Sequence, residues 1–306
     1  EQYFIFLDEI QLAISREELK QKDSNVKLYG VLNGLLRRGN ADVYVTGSNS
    51  KLLATDVLTE FRGRGDEVHI LPLSFSEYFP ATNQSKEDAW RDYLLYGGMP
   101  HILSLKDDEQ KVQYLNSLNK EIYLRDIQER YDVRNLTGME ELMKVIASSV
   151  GSLTNPQKIS DTFRSSGMKG ISFPTIAEYL TYLQDAGLIC RAERYDIKGR
   201  KYISTPMKYY YADTGLRNAL LGFRQFEETH LMENVIYKEL LYRGYSVDVG
   251  VVDIREKENG SRIKRKLEID FIANKGSKRY YLQSAFAIPD QEKMNHWVDS
   301  VFDAMS

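Results

Sequence analysis

Cysteine is almost absent from this sequence. Cys190 stands alone, so no disulfide can form within the chain, which suits a reducing compartment such as the cytoplasm. Histidine is equally sparse. His69, His101, His230 and His296 lie far apart, which excludes the clustered spacing of a zinc site. No apolar run reaches the roughly 18 residues that cross a bilayer, so no membrane partner is expected. A basic excess is missing too. The net charge is -3, and a protein held to nucleic acid mainly by charge would be basic. Any such binding must come from a local patch. Internal repeats and low-complexity tracts are lacking as well.

What remains reads as a globular protein. At 306 residues, 42% hydrophobic and 28% charged, the chain has room for two or three domains and excludes a mainly disordered one. Tyr3 to Leu7 is a continuous apolar run ending at Asp8-Glu9, as expected of a parallel strand buried on both faces. Because the chain opens inside this pattern, the natural N-terminus is expected upstream. Leu28, Val31, Leu32, Leu35 and Leu36 follow at helical spacing, closed by Arg37-Arg38-Gly39. Val43-Tyr44-Val45 is a second strand, ending in Thr46-Gly47-Ser48-Asn49. Strand, helix, strand is a βαβ unit and predicts a parallel sheet. Val68 to Leu71 predicts a third strand, stopped by Pro72.

Residues 86–133 predict helices, broken at Gly97-Gly98-Met99-Pro100. Three more helices are marked by Leu142, Val145 and Ile146, by Ile159 and Phe163, and by Ile176, Leu180 and Leu183. A hairpin follows, Leu188 to Tyr195 and then Tyr209 to Tyr211, with a basic turn at Lys198-Gly199-Arg200-Lys201. Three helices and a basic-tipped hairpin form the pattern of a winged helix. A last segment reads as a helix (Leu231 to Arg243) and three strands (247–252, 267–273 and 280–285). The charged stretch 253–266 reads as an exposed loop.

The chemistry-bearing residues lie at strand ends, where ligands bind in open α/β sheets. Asp8-Glu9 has the arrangement of a Walker B motif. The aspartate would hold Mg²⁺, and the glutamate would orient and deprotonate the attacking water. A polar side chain at Ser48 or Asn49, with Thr46 beside it, could contact the γ-phosphate. Arg64, or Arg62 next to it, could reach the nucleotide of a neighbouring subunit. The plain alternatives are a capping aspartate, a polar turn and a solvated basic turn.

These residues resemble a family of bacterial and archaeal AAA-type ATPases that join a P-loop ATPase domain to a winged helix and a nuclease-like C-terminal domain. The resemblance rests on Phe6-Leu7-Asp8-Glu9-Ile10-Gln11, Thr46-Gly47-Ser48, Gly63-Arg64, Leu71-Pro72-Leu73-Ser74-Phe75-Ser76-Glu77-Tyr78, Tyr96-Gly97-Gly98-Met99-Pro100, Tyr211-Ala212-Asp213-Thr214-Gly215-Leu216 and Glu233-Asn234. It implies ATP and Mg²⁺ as ligands, with Asp8 and Glu9 as Walker B. It also implies Ser48 or Asn49 as sensor 1, and Arg64 as an arginine finger in a homo-oligomer. One part is missing. No Gly-x-x-x-x-Gly-Lys-Ser/Thr occurs, so nothing here cradles the β- and γ-phosphates, and that loop is expected upstream of Walker B.

The wing tip is basic through Lys198, Arg200 and Lys201, but the third helix offers Glu178, Thr181, Tyr182 and Asp185, which would meet phosphates poorly. DNA and a protein are therefore both open as partners. The last segment resembles the PD-(D/E)xK nuclease fold. Glu233 and Asp270 match its carboxylates, but the next strand reads Gln283-Ser284-Ala285 where Glu-x-Lys is needed, which predicts an inactive relic. The fold class expected is thus α/β. A partial AAA-type parallel sheet spans 1–80, a helical extension 81–136, a winged helix 137–222, and a restriction-endonuclease-like domain 223–306. The function expected is an ATP-driven switch or motor. The alternatives are a non-enzymatic binding module for DNA or protein, and an active nuclease.

Overall fold

The computed structural model describes residues 1–13, 27–47, 65–167, 171–258 and 261–285. It divides into two compact units, Glu1–Ile70 with Asp185–Gly187, and Leu71–Gln184 with Leu188–Ser306.

In the first unit, β1 (Tyr3–Leu7) and β2 (Ala41–Val45) pair in parallel, in register from Tyr3–Ala41 to Leu7–Val45. The link between them includes α1 (Lys27–Leu36), as the alternation of patterns predicts. Side chains alternate across a strand. Leu7, Val43 and Val45 therefore pack with Leu28 against a core of Ile10, Tyr29 and Leu32. Phe4, Phe6 and Tyr44 take the other face, and there the expectation of burial on both sides fails. All three are exposed, and Phe6 stacks on Tyr44 with ring centroids 4.9 Å apart. Val68 to Leu71 also departs from expectation. It has no ladder partner among the described residues, and Val68 and Ile70 are exposed.

The second unit begins with helices: α2 (Lys86–Tyr96), α3 (Asp108–Ser117) and α4 (Arg125–Tyr131). Then come α5 (Leu136–Ser148), α6 (Pro156–Ser165) and α7 (Phe173–Asp185). Asn135 caps α5, and Asn155 caps α6 ahead of a proline at the first helical position. Next are β3 (Ile189–Asp196), β4 (Lys201–Tyr211), the short α8 (Thr214–Leu220) and α9 (Glu228–Tyr242). The last described elements are β5 (Ser246–Glu258), β6 (Ser261–Lys275) and β7 (Lys278–Leu282). One five-stranded sheet, in order β4-β3-β5-β6-β7, contains both the β3–β4 hairpin and the terminal meander. Among the described residues its only parallel pairing is β3 with β5. Thr154, between α5 and α6, bridges to Met207 on β4.

The charged stretch 253–266 is not a loop. Its backbone continues the antiparallel β5–β6 ladder out to Glu258 opposite Ser261. Charge alone predicted solvent exposure and said nothing about pairing.

Two of the quoted motifs meet inside this unit. The last carbonyls of a helix have no partner within it. At the end of α2, Tyr93 O accepts from the Thr214 hydroxyl at 2.9 Å, and Leu94 O and Leu95 O both accept from the Asn218 amide at 2.9 Å. Asp213 caps α8 by accepting from Leu216 N–H at 3.1 Å, and it also accepts from Gly98 N–H at 2.7 Å. Burial pushes its carboxyl above the usual range, while the Gly98 and Leu216 donors pull it back. Gly97 has φ +77°, and a Cβ there would lie 2.0 Å from Asp213 Oδ1. At Gly98 a Cβ would lie 2.2 Å from Leu73 O, and at Gly215 2.0 Å from Tyr96 O.

Asp213→Ala leaves two N–H groups in this junction without their acceptor, and Gly97→Ala adds both a clash and left-handed strain. Each should lower stability by about 2–5 kcal/mol, read as an earlier urea midpoint. A loss under about 1 kcal/mol in both would refute the junction's importance.

Candidate functional site

Asp8 and Glu9 follow β1, and Thr46 follows β2, so the parallel register brings all three to the carboxyl edge of the pair. Thr46 N–H donates to Leu7 O at 2.9 Å, and Ile10 N–H donates to Thr46 O at 3.0 Å. These bonds prolong the pairing past the strand ends. The Thr46 hydroxyl joins the acidic residues. It accepts from Glu9 N–H at 3.1 Å and donates to Asp8 Oδ1. Glu9 has φ +47°, a left-handed turn that a non-glycine residue seldom adopts. Asp8 is exposed and Glu9 half-buried. Among the described residues no three acidic, histidine or cysteine side chains converge as a metal site. A single carboxylate beside a hydroxyl still fits Mg²⁺, which keeps several waters and takes the rest of its ligands from substrate phosphates. Ser48, Asn49, Arg62 and Arg64 lie outside the described residues.

A second cluster lies in the other unit, where β4, β6, β7 and α9 bring titratable groups together. Glu233 on α9 and Asp270 on β6 are both buried and both reach Lys208 on β4. Lys208 Nζ lies 2.9 Å from Glu233, 3.4 Å from Asp270 and 2.8 Å from Glu268. Tyr210 donates its hydroxyl to the same Glu233 oxygen at 2.7 Å. Asp270 Oδ2 accepts from Ser284 N–H at 2.9 Å, and the Gln283 side-chain oxygen accepts from Asp270 N–H at 3.3 Å. Glu233 and Asp270 thus meet at Lys208, and Gln283 reaches the Asp270 backbone. Lys208, Glu268 and Tyr210 were missed. Their signal was a spacing of two, Lys208 with Tyr210 and Glu268 with Asp270, which places each pair on one face of a strand. Burial pushes the Glu233 carboxyl up against the opposing pull of Lys208. Burial also depresses the Lys208 ammonium, but Glu233, Glu268 and Asp270 outweigh it and hold the group above its ordinary value. The neighbouring Asn234 is structural. It bonds both the N–H and the C=O of Tyr211, at 2.7 and 3.0 Å.

Comparisons with known proteins bear on both regions. The model of a family described as an AAA domain matches residues 1–79, and that of a domain of unknown function (DUF8612) matches residues 87–227. An uncharacterized protein of Haemophilus influenzae is 36% identical over 295 residues, covering 95% of this chain and 67% of its own length. The chain belongs to the family of that Haemophilus protein. An uncharacterized protein of Methanocaldococcus jannaschii is 27% identical over 302 residues, covering 94% of this chain and 62% of its own. This chain thus spans about two thirds of its relatives' length. A Walker-type ATPase of Pyrococcus abyssi, 16% identical, overlaps 72% of this chain and 63% of its own at a TM-score of 0.48. The AAA-domain match is confined to residues 1–79 and contains Asp8, Glu9 and Thr46.

Lys198, Arg200 and Lys201 are exposed at the tip of the β3–β4 hairpin. Gly199 N–H donates to Asp196 at 2.8 Å and tightens that turn. On α7, Glu178 and Thr181 are exposed, as their spacing predicts. Tyr182 is not a free surface group. Its ring stacks on Tyr131 with centroids 3.9 Å apart. No helix among the described residues is long and apolar enough to cross a membrane.

Thr46→Val keeps the shape of that residue and deletes its hydroxyl. Hydrogen exchange at the Glu9 amide should then quicken roughly fivefold, since one such bond is worth about 1 kcal/mol. Thr46→Ser should leave it unchanged. Equal exchange in all three proteins would remove the hydroxyl link.

Proposed function

We propose that this chain carries the Walker B half of an ATP-hydrolysing AAA-type site. The observation that carries the proposal is the Thr46 hydroxyl joining Asp8 to the Glu9 backbone at the carboxyl edge of a parallel pair. In this reading Asp8 would hold the Mg²⁺ that accompanies ATP, which neutralises charge on the β- and γ-phosphates. Glu9 accepts a proton from the attacking water and aims that water at the γ-phosphate. The Thr46 bonds fix the direction of Asp8 and the backbone turn that presents Glu9. Ser48 or Asn49 would contact the γ-phosphate. Arg64, or Arg62 beside it, would stabilise transition-state charge from a neighbouring copy. The partner moved or switched by hydrolysis is DNA or a protein.

Three helices followed by a hairpin, with Thr154 bridging Met207, support a winged-helix reading of 137–222. Helix α9 with the meander β5–β7 supports the nuclease-like reading of 223–306. A non-enzymatic role for this half is the second reading. It is favoured by the exposed basic tip at Lys198, Arg200 and Lys201, set against the acidic Glu178 on α7.

In the native gene product, Glu9→Gln should slow ATP hydrolysis by roughly 10²–10⁴ while ATP binding survives. Arg64→Ala should lower turnover by about 10³ and recover part of it in mixtures with Glu9→Gln protein. Turnover unaffected by Glu9→Gln would overturn the ATPase reading. Replacing Lys198, Arg200 and Lys201 together by alanine should weaken binding to duplex DNA and flatten its salt dependence by about three counterions. An unchanged slope would assign the tip to a protein partner.

A further inference from the structure

The cluster around Lys208 carries an inference independent of ATP hydrolysis. Glu233, Glu268 and Asp270 come from α9 and β6, and each places an oxygen within 3.4 Å of one point. Three carboxylates have the composition of a hard-cation donor set, the kind that takes Mg²⁺, Mn²⁺ or Ca²⁺, but spread around Lys208 they do not stand at metal-holding distance from one another. Carboxylates brought this close together call for a cation between them. Here the point is Lys208 Nζ, and the lysine side chain is 3% exposed. An ammonium has three donors and no acceptor, which matches three carboxylates one for one.

The protein makes further bonds to two of these carboxylates. The Glu233 oxygen that meets Lys208 also accepts from Tyr210. Asp270 Oδ2 is taken by Ser284 N–H. The Gln283 oxygen turns to the Asp270 backbone, not to the centre of the cluster. Gly151 closes over the carboxyl of Glu233, because a Cβ there would lie 3.1 Å from it. A divalent ion needs oxygens at about 2.0–2.6 Å and room for its waters. The residues present therefore do not fit a metal as the nuclease-like fold would require.

We infer that the Lys208 ammonium is a built-in cation, standing where three carboxylates would otherwise hold a divalent metal and locking α9, β4 and β6 together. The site is thereby closed to metal and to a scissile phosphate. Breaking a buried ionic cluster by removing one member leaves uncompensated charge. Lys208→Ala should accordingly do two things at once. It should destabilise the fold, and it should open a place for a divalent ion.

The test uses Mn²⁺ alone as probe, counted by the electron paramagnetic resonance of the free ion, together with thermal unfolding. In the unaltered chain we expect no Mn²⁺ site tighter than about 1 mM that depends on Asp270, and the same melting temperature in Mn²⁺ as in EDTA. We expect Lys208→Ala to melt roughly 5–10 °C lower, to bind Mn²⁺, and to recover part of the loss in Mn²⁺. That binding should vanish in Lys208→Ala/Asp270→Asn and persist in Lys208→Ala/Asp8→Asn, which separates it from the Asp8 site. Mn²⁺ binding by the unaltered chain that is lost on Asp270→Asn would overturn the inference. So would Mn²⁺-dependent cleavage of plasmid or single-stranded DNA that is lost on Asp270→Ala. The unaltered chain decides these two outcomes whether or not the lysine variant folds. A folded Lys208→Ala protein that takes up no Mn²⁺ would refute the metal's place as the one Lys208 fills.

Discussion

The carboxylate of Asp213 is the constraint on which much of the larger unit depends. It is fully buried, yet it accepts hydrogen bonds from two distant parts of the chain, Gly98 and Leu216. Around it a helix of seven residues lies buried despite carrying Thr214, Arg217 and Asn218. Each of these polar groups donates to a backbone carbonyl at or near a helix end, although Tyr93 O also accepts from Gly97 N–H. Thr214 and Asn218 serve the end of α2, and Arg217 donates to Ala147 O at 2.8 Å. A short polar helix is normally a surface element. This one is internal because the free end of another helix supplies its acceptors, and the three glycines at 97, 98 and 215 let the backbones approach.

This also explains why the pieces that carry the family resemblance lie so far apart along the chain. Tyr96-Gly97-Gly98-Met99-Pro100 and Tyr211-Ala212-Asp213-Thr214-Gly215-Leu216 are two halves of one contact. Leu71-Pro72-Leu73 joins them, since Leu73 N–H donates to Gly98 O at 2.8 Å and Tyr242 reaches Pro72 O. These motifs hold structure. The residues proposed to carry the chemistry, Asp8, Glu9 and Thr46, are in a different unit and are held by strand register instead.

Periodicity made most elements legible. The βαβ unit, the helices from α2 to α7 and the β3–β4 hairpin all follow from apolar spacing and punctuation by proline and glycine. The nearness of Asp8 to Thr46 was also legible, because each follows a strand and parallel pairing leaves no other place for them. Two features were hidden for physical reasons. In 253–266 the charges masked a ladder whose backbone pairing owes little to side-chain polarity. Lys208 sits in the run Met207-Lys208-Tyr209-Tyr210-Tyr211, where a lone lysine reads as a solvent-facing residue. Its partners on α9 and β6 are 25 and 62 positions away, and no local rule connects them. The burial of both faces of β1 was expected from an apolar run, but an apolar run reports capacity for burial and not the presence of a cover.

The two acidic sites differ in the property that separates chemistry from structure. At Asp8 the carboxylate is exposed, and its recorded partner is a neutral hydroxyl. A neutral partner orients a carboxylate without neutralising it, so its charge stays available to an incoming cation. At Glu233 and Asp270 the partner is an ammonium, and the group is buried beside it. There the charge is already answered, and displacing the lysine would cost both its own burial in new surroundings and the ionic contacts it leaves. Two clusters of similar acidic composition therefore have opposite capacities. Whether a carboxylate serves a ligand is decided less by its own position than by whether the protein has supplied its counter-ion.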